Sequence, residues 1–150
     1  MKKQRARAII FFEDKIATMY REREGRIFYS LPGGGLEGDE TEEEGVVREV
    51  YEEFGITVEP IKKVYIYEHT TGEEHFYICK YTSGEFGSGK GEEFGPEKNN
   101  GLYRPTKINI KDIPTLPLMP PEVAKTLYAD YSKNGEALRD DVLRLERQGD

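Results

Sequence analysis

Apolar residues in this chain fall into short β-rich runs broken by polar turns, with one stretch at helical spacing between them. Gln4 to Phe12 ends in AIIFF and predicts a buried strand. Glu13, Asp14 and Lys15 then form a polar turn, and Ile16 to Glu22 resumes the pattern, so a hairpin is expected with Arg21 and Arg23 at the far end of its second strand. RIFYSLP, after Gly25, predicts a short strand that runs into Gly33, Gly34 and Gly35. Consecutive glycines predict a turn with positive φ that lets the backbone approach a ligand or ion.

Ile61 to Glu68 and Phe76 to Thr82 predict a second hairpin around Thr70 to Glu74, with His69 and His75 flanking an exposed tip. Two histidines are too few ligands for zinc. The aromatic residues Tyr65, Tyr67, Phe76 and Tyr77 suit core filling, with a ring stacked on a base as the other option. Ser83 to Gly101 has no periodicity and predicts a long loop near function or without order. A strand follows around Tyr103 to Ile110, then a helix from about Glu122 to Tyr131 with Pro121 at its start. A final helix from about Glu136 to Arg147 is expected from the spacing of Leu138, Val142 and Leu145.

The stretch at helical spacing lies between Gly34 and Ile56. Thr41 as N-cap and Glu44 three residues later form a capping box, Glu42 to Glu44 suit the positive end of the helix dipole, and Gly55 supplies the left-handed stop. Val47, Val50, Tyr51 and Phe54 recur at offsets of zero, three, four and seven and predict the core face, widened by Val46. Glu49, Glu52 and Glu53 then fall on the opposite side, with Gly45 one turn earlier leaving space above them. Taken alone, they read most simply as a solvated outer face. A magnesium ion shared with substrate phosphates is the alternative, because three carboxylates in one turn repel one another and a hard cation reverses that balance.

Composition narrows the field. At 150 residues, with no shift in composition along the chain, one domain over 1–150 is expected, with C-terminal helices at about 121–147. Hydrophobic residues at 36% and charged residues at 34% are too apolar for a disordered chain and too polar for a membrane protein. The longest apolar run, Ala8 to Phe12, is too short to span a bilayer and no export signal precedes it, so a cytoplasmic protein without membrane partners is expected. A lone cysteine, Cys79, flanked by apolar residues, suits burial in a reducing compartment. The net charge of −7 opposes a stable nucleic-acid complex but leaves small phosphorylated molecules open through a bridging cation. Arg21 and Arg23 are candidate phosphate contacts, or solvated charges closing a strand.

Spacing decides between the two accounts of the acidic helix. From Gly34 the sequence runs five residues to Glu40 and seven more to Arg48-Glu49-Val50-Tyr51-Glu52-Glu53-Phe54-Gly55-Ile56. This resembles the Nudix box, G-x5-E-x7-R-E-U-x-E-E-x-G-U with U aliphatic, at every specified position. The resemblance implies a Nudix-type α/β/α sandwich around a mixed β-sheet, and a magnesium- or manganese-dependent hydrolase acting on a nucleoside diphosphate linked to another group. It implies Glu49, Glu52 and Glu53 as metal ligands, with the general base among them or outside the box. Gly33 would add its backbone carbonyl to the metal, and Arg48 a salt bridge orienting a catalytic glutamate. Gly34, Glu40 and Gly55 would serve geometry. A further acidic ligand from a later loop is expected at Glu93 or Glu97, which are otherwise solvated loop charges. The proline that often marks ADP-ribose cleavage is replaced by Thr71 and Gly72. The compact layout looks more like MutT-type nucleoside triphosphate pyrophosphohydrolases. A nucleoside triphosphate is thus the first candidate substrate, a nucleotide sugar or dinucleoside polyphosphate the second, and a non-catalytic nucleotide-binding module the reading of another class. Either a monomer or a homodimer is compatible.

Overall fold

A computed structural model of the chain describes residues 3–89 and 102–148. In chain order the elements are β1 (Lys3–Phe12), β2 (Lys15–Arg23), β3 (Arg26–Ser30), β4 (Gly33–Gly35), α1 (Glu42–Phe54), β5 (Ile56–His69), β6 (Gly72–Gly84), β7 (Leu102–Asn109), β8 (Leu118–Met119), α2 (Pro121–Asn134) and β9 (Leu143–Glu146). The strands form one mixed sheet in the order β8-β3-β2-β1-β6-β5-β9, with β4 paired to β1 and β7 paired to β2. Both hairpins read from the pattern are present, as are the strand after residue 101 and the helix begun by Pro121. Among the described residues no helix is long and apolar enough to cross a membrane.

Alternation along the central strands places a helix on each face. Ala6, Ala8 and Ile10 of β1, with Tyr77 and Cys79 of β6, pack against Val46, Val50 and Phe54 of α1. Ile9 of β1, with Phe76 and Ile78 of β6 and Tyr65 of β5, packs against Val123, Ala124 and Leu127 of α2. Successive strand residues point to opposite faces, so one apolar strand serves two cores. The result is the expected α/β/α sandwich. Cys79 is buried as predicted, and burial pushes its thiol up to about 12.

Helix α1 begins and ends as its sequence dictates. Thr41 Oγ1 accepts from the Glu44 amide at 3.1 Å and the Glu44 carboxylate accepts from the Thr41 amide at 3.0 Å. Gly55 takes the left-handed conformation at φ 76°. Replacing Thr41 with Ala is expected to destabilise the fold by about 1 kcal/mol. Urea midpoints would show this, and an unchanged midpoint would mean the cap is idle.

Four sequence expectations need correction. The final helix is absent, and Gly135–Ala137 is instead a short 3-10 turn followed by β9. Leu143 and Leu145 alternate toward the α2-side core, and β9 pairs in parallel with the open edge of β5, so the period of two outweighs the looser helical spacing of Leu138, Val142 and Leu145. The glycine run is a strand, with Gly33–Gly35 paired to Arg5–Arg7 of β1. Tyr51 is 60% exposed, because the line Val46, Val50, Phe54, spaced by four, faces the sheet in its place. His75 is buried rather than at an exposed tip, since the hairpin strands run on to His69 and Gly72.

Candidate active site

The site is built where β4 meets α1. A strand of glycines presents no side chains, so the helix carboxylates come close to the backbone. A Cβ on Gly34 would lie 2.7 Å from a Glu49 carboxylate oxygen, so the glycine leaves the space that this carboxylate fills. Glu53 Oε1 accepts a hydrogen bond from the Gly33 amide at 3.2 Å. Gly33 thus meets the helix carboxylate through its N–H.

These placements revise the helix geometry read from the sequence. Glu49 and Glu53 turn toward the strand rather than away from the protein, whereas Glu52 remains half exposed toward solvent. The space above Gly45 is taken by Leu36 and Glu40.

Arg48 ties the helix to the preceding loop. Its Nε and Nη2 donate to the two oxygens of Glu40 at 2.7 and 3.0 Å, Nη1 reaches Glu49 Oε2 at 3.1 Å and Glu52 Oε1 at 3.3 Å, and Nη2 also donates to the Gly35 carbonyl at 3.2 Å. A fork on a carboxylate is strong and directional. The Arg48 hydrogen bond, helped by the Glu37 amide, holds Glu40 down at about 2, so it stays ionised as the anchor.

Glu49 and Glu53 are pushed the other way. Burial raises Glu53 most, the charge of Glu49 adds to it, and Arg7, the Gly33 amide and Arg21 oppose, leaving it at about 8. Glu49 is raised as well, chiefly by burial and against the pull of Arg48. Two desolvated carboxylates, Glu53 more fully than Glu49, that repel each other in this way suit a divalent cation, which would offset both costs at once. The donor set is incomplete by itself. No three His, Cys, Asp or Glu side chains among the described residues converge on one point.

The expected later-loop ligands, Glu93 and Glu97, lie outside the described residues. The loop that leads to them does start beside the site. Amides of Gly87 and Ser88 donate to the Phe54 carbonyl at 2.9 and 3.2 Å, and Gly89 lies so close to the backbone of Glu52 and Glu53 that a Cβ there would meet it at 2.6 to 2.7 Å.

Of the two arginines suggested for phosphate contact, only Arg21 comes near. Its charge acts on Glu53, its Nη2 donates to Tyr103 Oη at 2.6 Å, and its guanidinium lies 4.2 Å from the Tyr103 ring and 5.6 Å from Phe28. Its Nε is buried without a partner among the described residues. Arg23 is exposed at the hairpin end, opposite Arg26. The aromatic residues Tyr65, Tyr67, Phe76 and Tyr77 are all buried and fill the two cores.

Sequence reasoning overlooked Arg7, whose charge also acts on Glu49 and Glu53. The available signal was an arginine between Ala6 and Ala8, directly before the apolar run that ends the strand. A charge there requires a buried partner.

Comparison with known proteins agrees with this fold. The sequence pattern of the NUDIX domain matches residues 2–107. A MutT-like protein of Streptomyces ambofaciens is 56% identical over 43 residues, 29% of this chain, and the match spans 28% of that relative's length. Among solved structures, an ADP-ribose pyrophosphatase from Streptococcus suis superposes with a TM-score of 0.63 at 26% identity, covering 97% of this chain and 99% of that one. A MutT protein from Bacillus halodurans shares the fold, with a TM-score of 0.62 at 21% identity over 96% of this chain and 89% of that one. With an unbroken box, the expected sandwich and a domain match over most of its length, this chain belongs to the NUDIX domain family.

Proposed function

We propose that the chain is a Nudix hydrolase of the pyrophosphatase type that uses Mg2+ or Mn2+ to cleave a phosphoanhydride bond in a small nucleoside diphosphate-linked molecule. The observation that supports it best is the pairing of Glu49 and Glu53 against Gly33 and Gly34, with both carboxylates raised by burial. Glu49 and Glu53 hold the cation, with the Gly33 backbone beside them. The bound cation supplies charge neutralisation on the phosphates and lowers the pKa of a water. Arg48 keeps Glu49 in place and fixes the helix to the Glu40 loop. Glu52, engaged by Arg48 through one oxygen and open to solvent, accepts the proton of the attacking water. Arg21, whose Nε has no partner among the described residues, meets a substrate oxygen beside the Tyr103 and Phe28 rings.

A nucleoside triphosphate is the first candidate substrate, on the compact layout of the chain and its likeness to MutT proteins. A second reading, a nucleoside diphosphate sugar, is favoured by the ADP-ribose pyrophosphatase of Streptococcus suis, which matches nearly the whole chain at 26% identity. A panel of nucleoside triphosphates, nucleotide sugars and dinucleoside polyphosphates with Mg2+ or Mn2+, followed by product identification, separates the two. Turnover of none, with saturable nucleotide binding, would instead identify a binding module.

A further inference from the structure

Arg7 stands on β1 and its partner Glu74 on β6, two neighbouring central strands of the sheet. Its Nε donates to Glu74 Oε1 at 2.6 Å and its Nη1 to the Leu31 carbonyl at 2.8 Å. Both side chains are largely withdrawn from solvent, at 19% and 14% exposure, so neither charge sits there without the other at acceptable cost. The second Glu74 oxygen faces His69 Nε2 at 3.2 Å, which holds the carboxylate from behind. The Arg7 stem occupies the place that a side chain on Gly33 would need, 2.8 Å from its would-be Cβ. The Ala8 amide adds a hydrogen bond to the Pro32 carbonyl at 2.9 Å. Leu31, Pro32 and Gly33 are thus gripped from the β1 side, while Glu53 takes the Gly33 amide from the helix side.

We infer that Arg7, aimed by Glu74, is a positioning residue for the active site: it sets the height of the Leu31–Gly33 segment against α1 and thereby fixes where Glu53 is held. The inference rests on the proposed role of Glu53 and Gly33 in holding the cation. A guanidinium fork serves two acceptors at once, whereas a lysine at position 7 keeps the charge but reaches one. Glu74→Gln keeps the shape and leaves Arg7 charged but unaimed. Groups behind the side chains that hold a metal typically change affinity or activity by roughly 10-fold to 100-fold when altered.

The test compares Arg7→Lys, Glu74→Gln and the double variant in the full chain. Turnover is followed on the best substrate of the panel, and Mn2+ affinity is measured by electron paramagnetic resonance without substrate. Each single variant is expected to lower kcat by about tenfold with KM moved less than about twofold, and to weaken Mn2+ binding by about the same tenfold factor. The double variant is expected to be no worse than the poorer single one, because the pair acts as a unit. A Glu74→Gln protein within about twofold of the parent in both readouts overturns the inference, as do losses that multiply in the double variant. Should Arg7→Lys not fold, the kcat and Mn2+ affinity of Glu74→Gln decide alone. Glu53→Gln serves as the control. If it keeps Mn2+ binding and turnover, the proposed site is wrong. If it loses both while the Arg7 and Glu74 variants match the parent, only the positioning role falls.

Discussion

Replacing Glu53 with Gln is expected to lower turnover by about a thousandfold and, in metal-free protein, to raise stability above neutral pH. Both effects follow from one feature of the site. Glu53 sits against the Gly33 amide with its carboxyl largely buried and Glu49 nearby, which raises it to about 8 from the ordinary 4.5. A carboxylate held in this state favours a cation strongly, so under the proposed function the neutral amide would remove a ligand charge the reaction depends on. In the absence of metal the same arrangement is a liability. Between about 4.5 and about 8 the folded chain keeps a proton that the unfolded chain gives up, so stability contributed here is full at low pH and falls as pH rises through that window. Gln abolishes that slope, as expected for a site that gives up stability for function. Urea unfolding in chelator at pH 5 and pH 8 measures it. A variant no more resistant than the parent at pH 8, or one with turnover intact, would defeat this account of Glu53.

The contrast with Glu40 shows why the box contains acids of two kinds. Glu40 receives both arms of the Arg48 fork and the Glu37 amide, and is held at about 2. It stays ionised across any working range and anchors the loop. Glu49 and Glu53 have weaker counter-charges and more burial, and under the proposed function a bound cation would complete their ionisation. The acids of the box look alike in sequence, but packing divides them into an ionised anchor, Glu40, and a pair raised by burial, Glu49 and Glu53.

How much of this was legible depends on the range of the interactions involved. Caps are local, so Thr41, Glu44 and Gly55 announced the limits of α1 from neighbouring residues alone. Strand alternation is also local, and both hairpins followed from it. The fate of Leu143 and Leu145 was not local, because it depended on an open edge of β5, whose Tyr65 and Tyr67 lie 78 positions earlier. The same is true of Arg7, whose partner Glu74 lies 67 residues away. Periodicity placed Tyr51 on the core face because it weighs offsets of three and four alike, whereas the sheet surface selected the line through Val46, Val50 and Phe54. Physical reading of the acidic face alone favoured solvent. The spacing of the box points those carboxylates inward instead, and the strand of glycines supplies the reason: without side chains on β4, Glu49 and Glu53 have somewhere to go other than water.

The three glycines of β4 should accordingly respond to alanine in a definite order. Gly33→Ala is expected to be the most damaging, at roughly 3 kcal/mol or more of stability, with turnover lost alongside. At φ 146° an L residue is strained, and its Cβ would be driven into the Ala6 carbonyl and to 2.7 Å from Arg7 Cα. Those atoms belong to a central strand, and Ala6 has no exposed surface, so β1 cannot give way. The strand β4 must move instead, breaking its register with Arg7 and withdrawing the Gly33 amide from Glu53. Gly34→Ala meets a Glu49 side-chain oxygen at 2.7 Å rather than backbone. A side chain can swing aside, so this variant should fold nearly as well as the parent while binding Mn2+ less tightly. Gly35→Ala meets nothing within 4 Å among the described residues and should fall within about 0.5 kcal/mol of the parent. Thermal unfolding of the three proteins, with Mn2+ titration of those that fold, reads the order directly. A Gly33→Ala protein as stable as Gly35→Ala would mean that β4 is not held against β1, and that the placement of Glu53 must have another source.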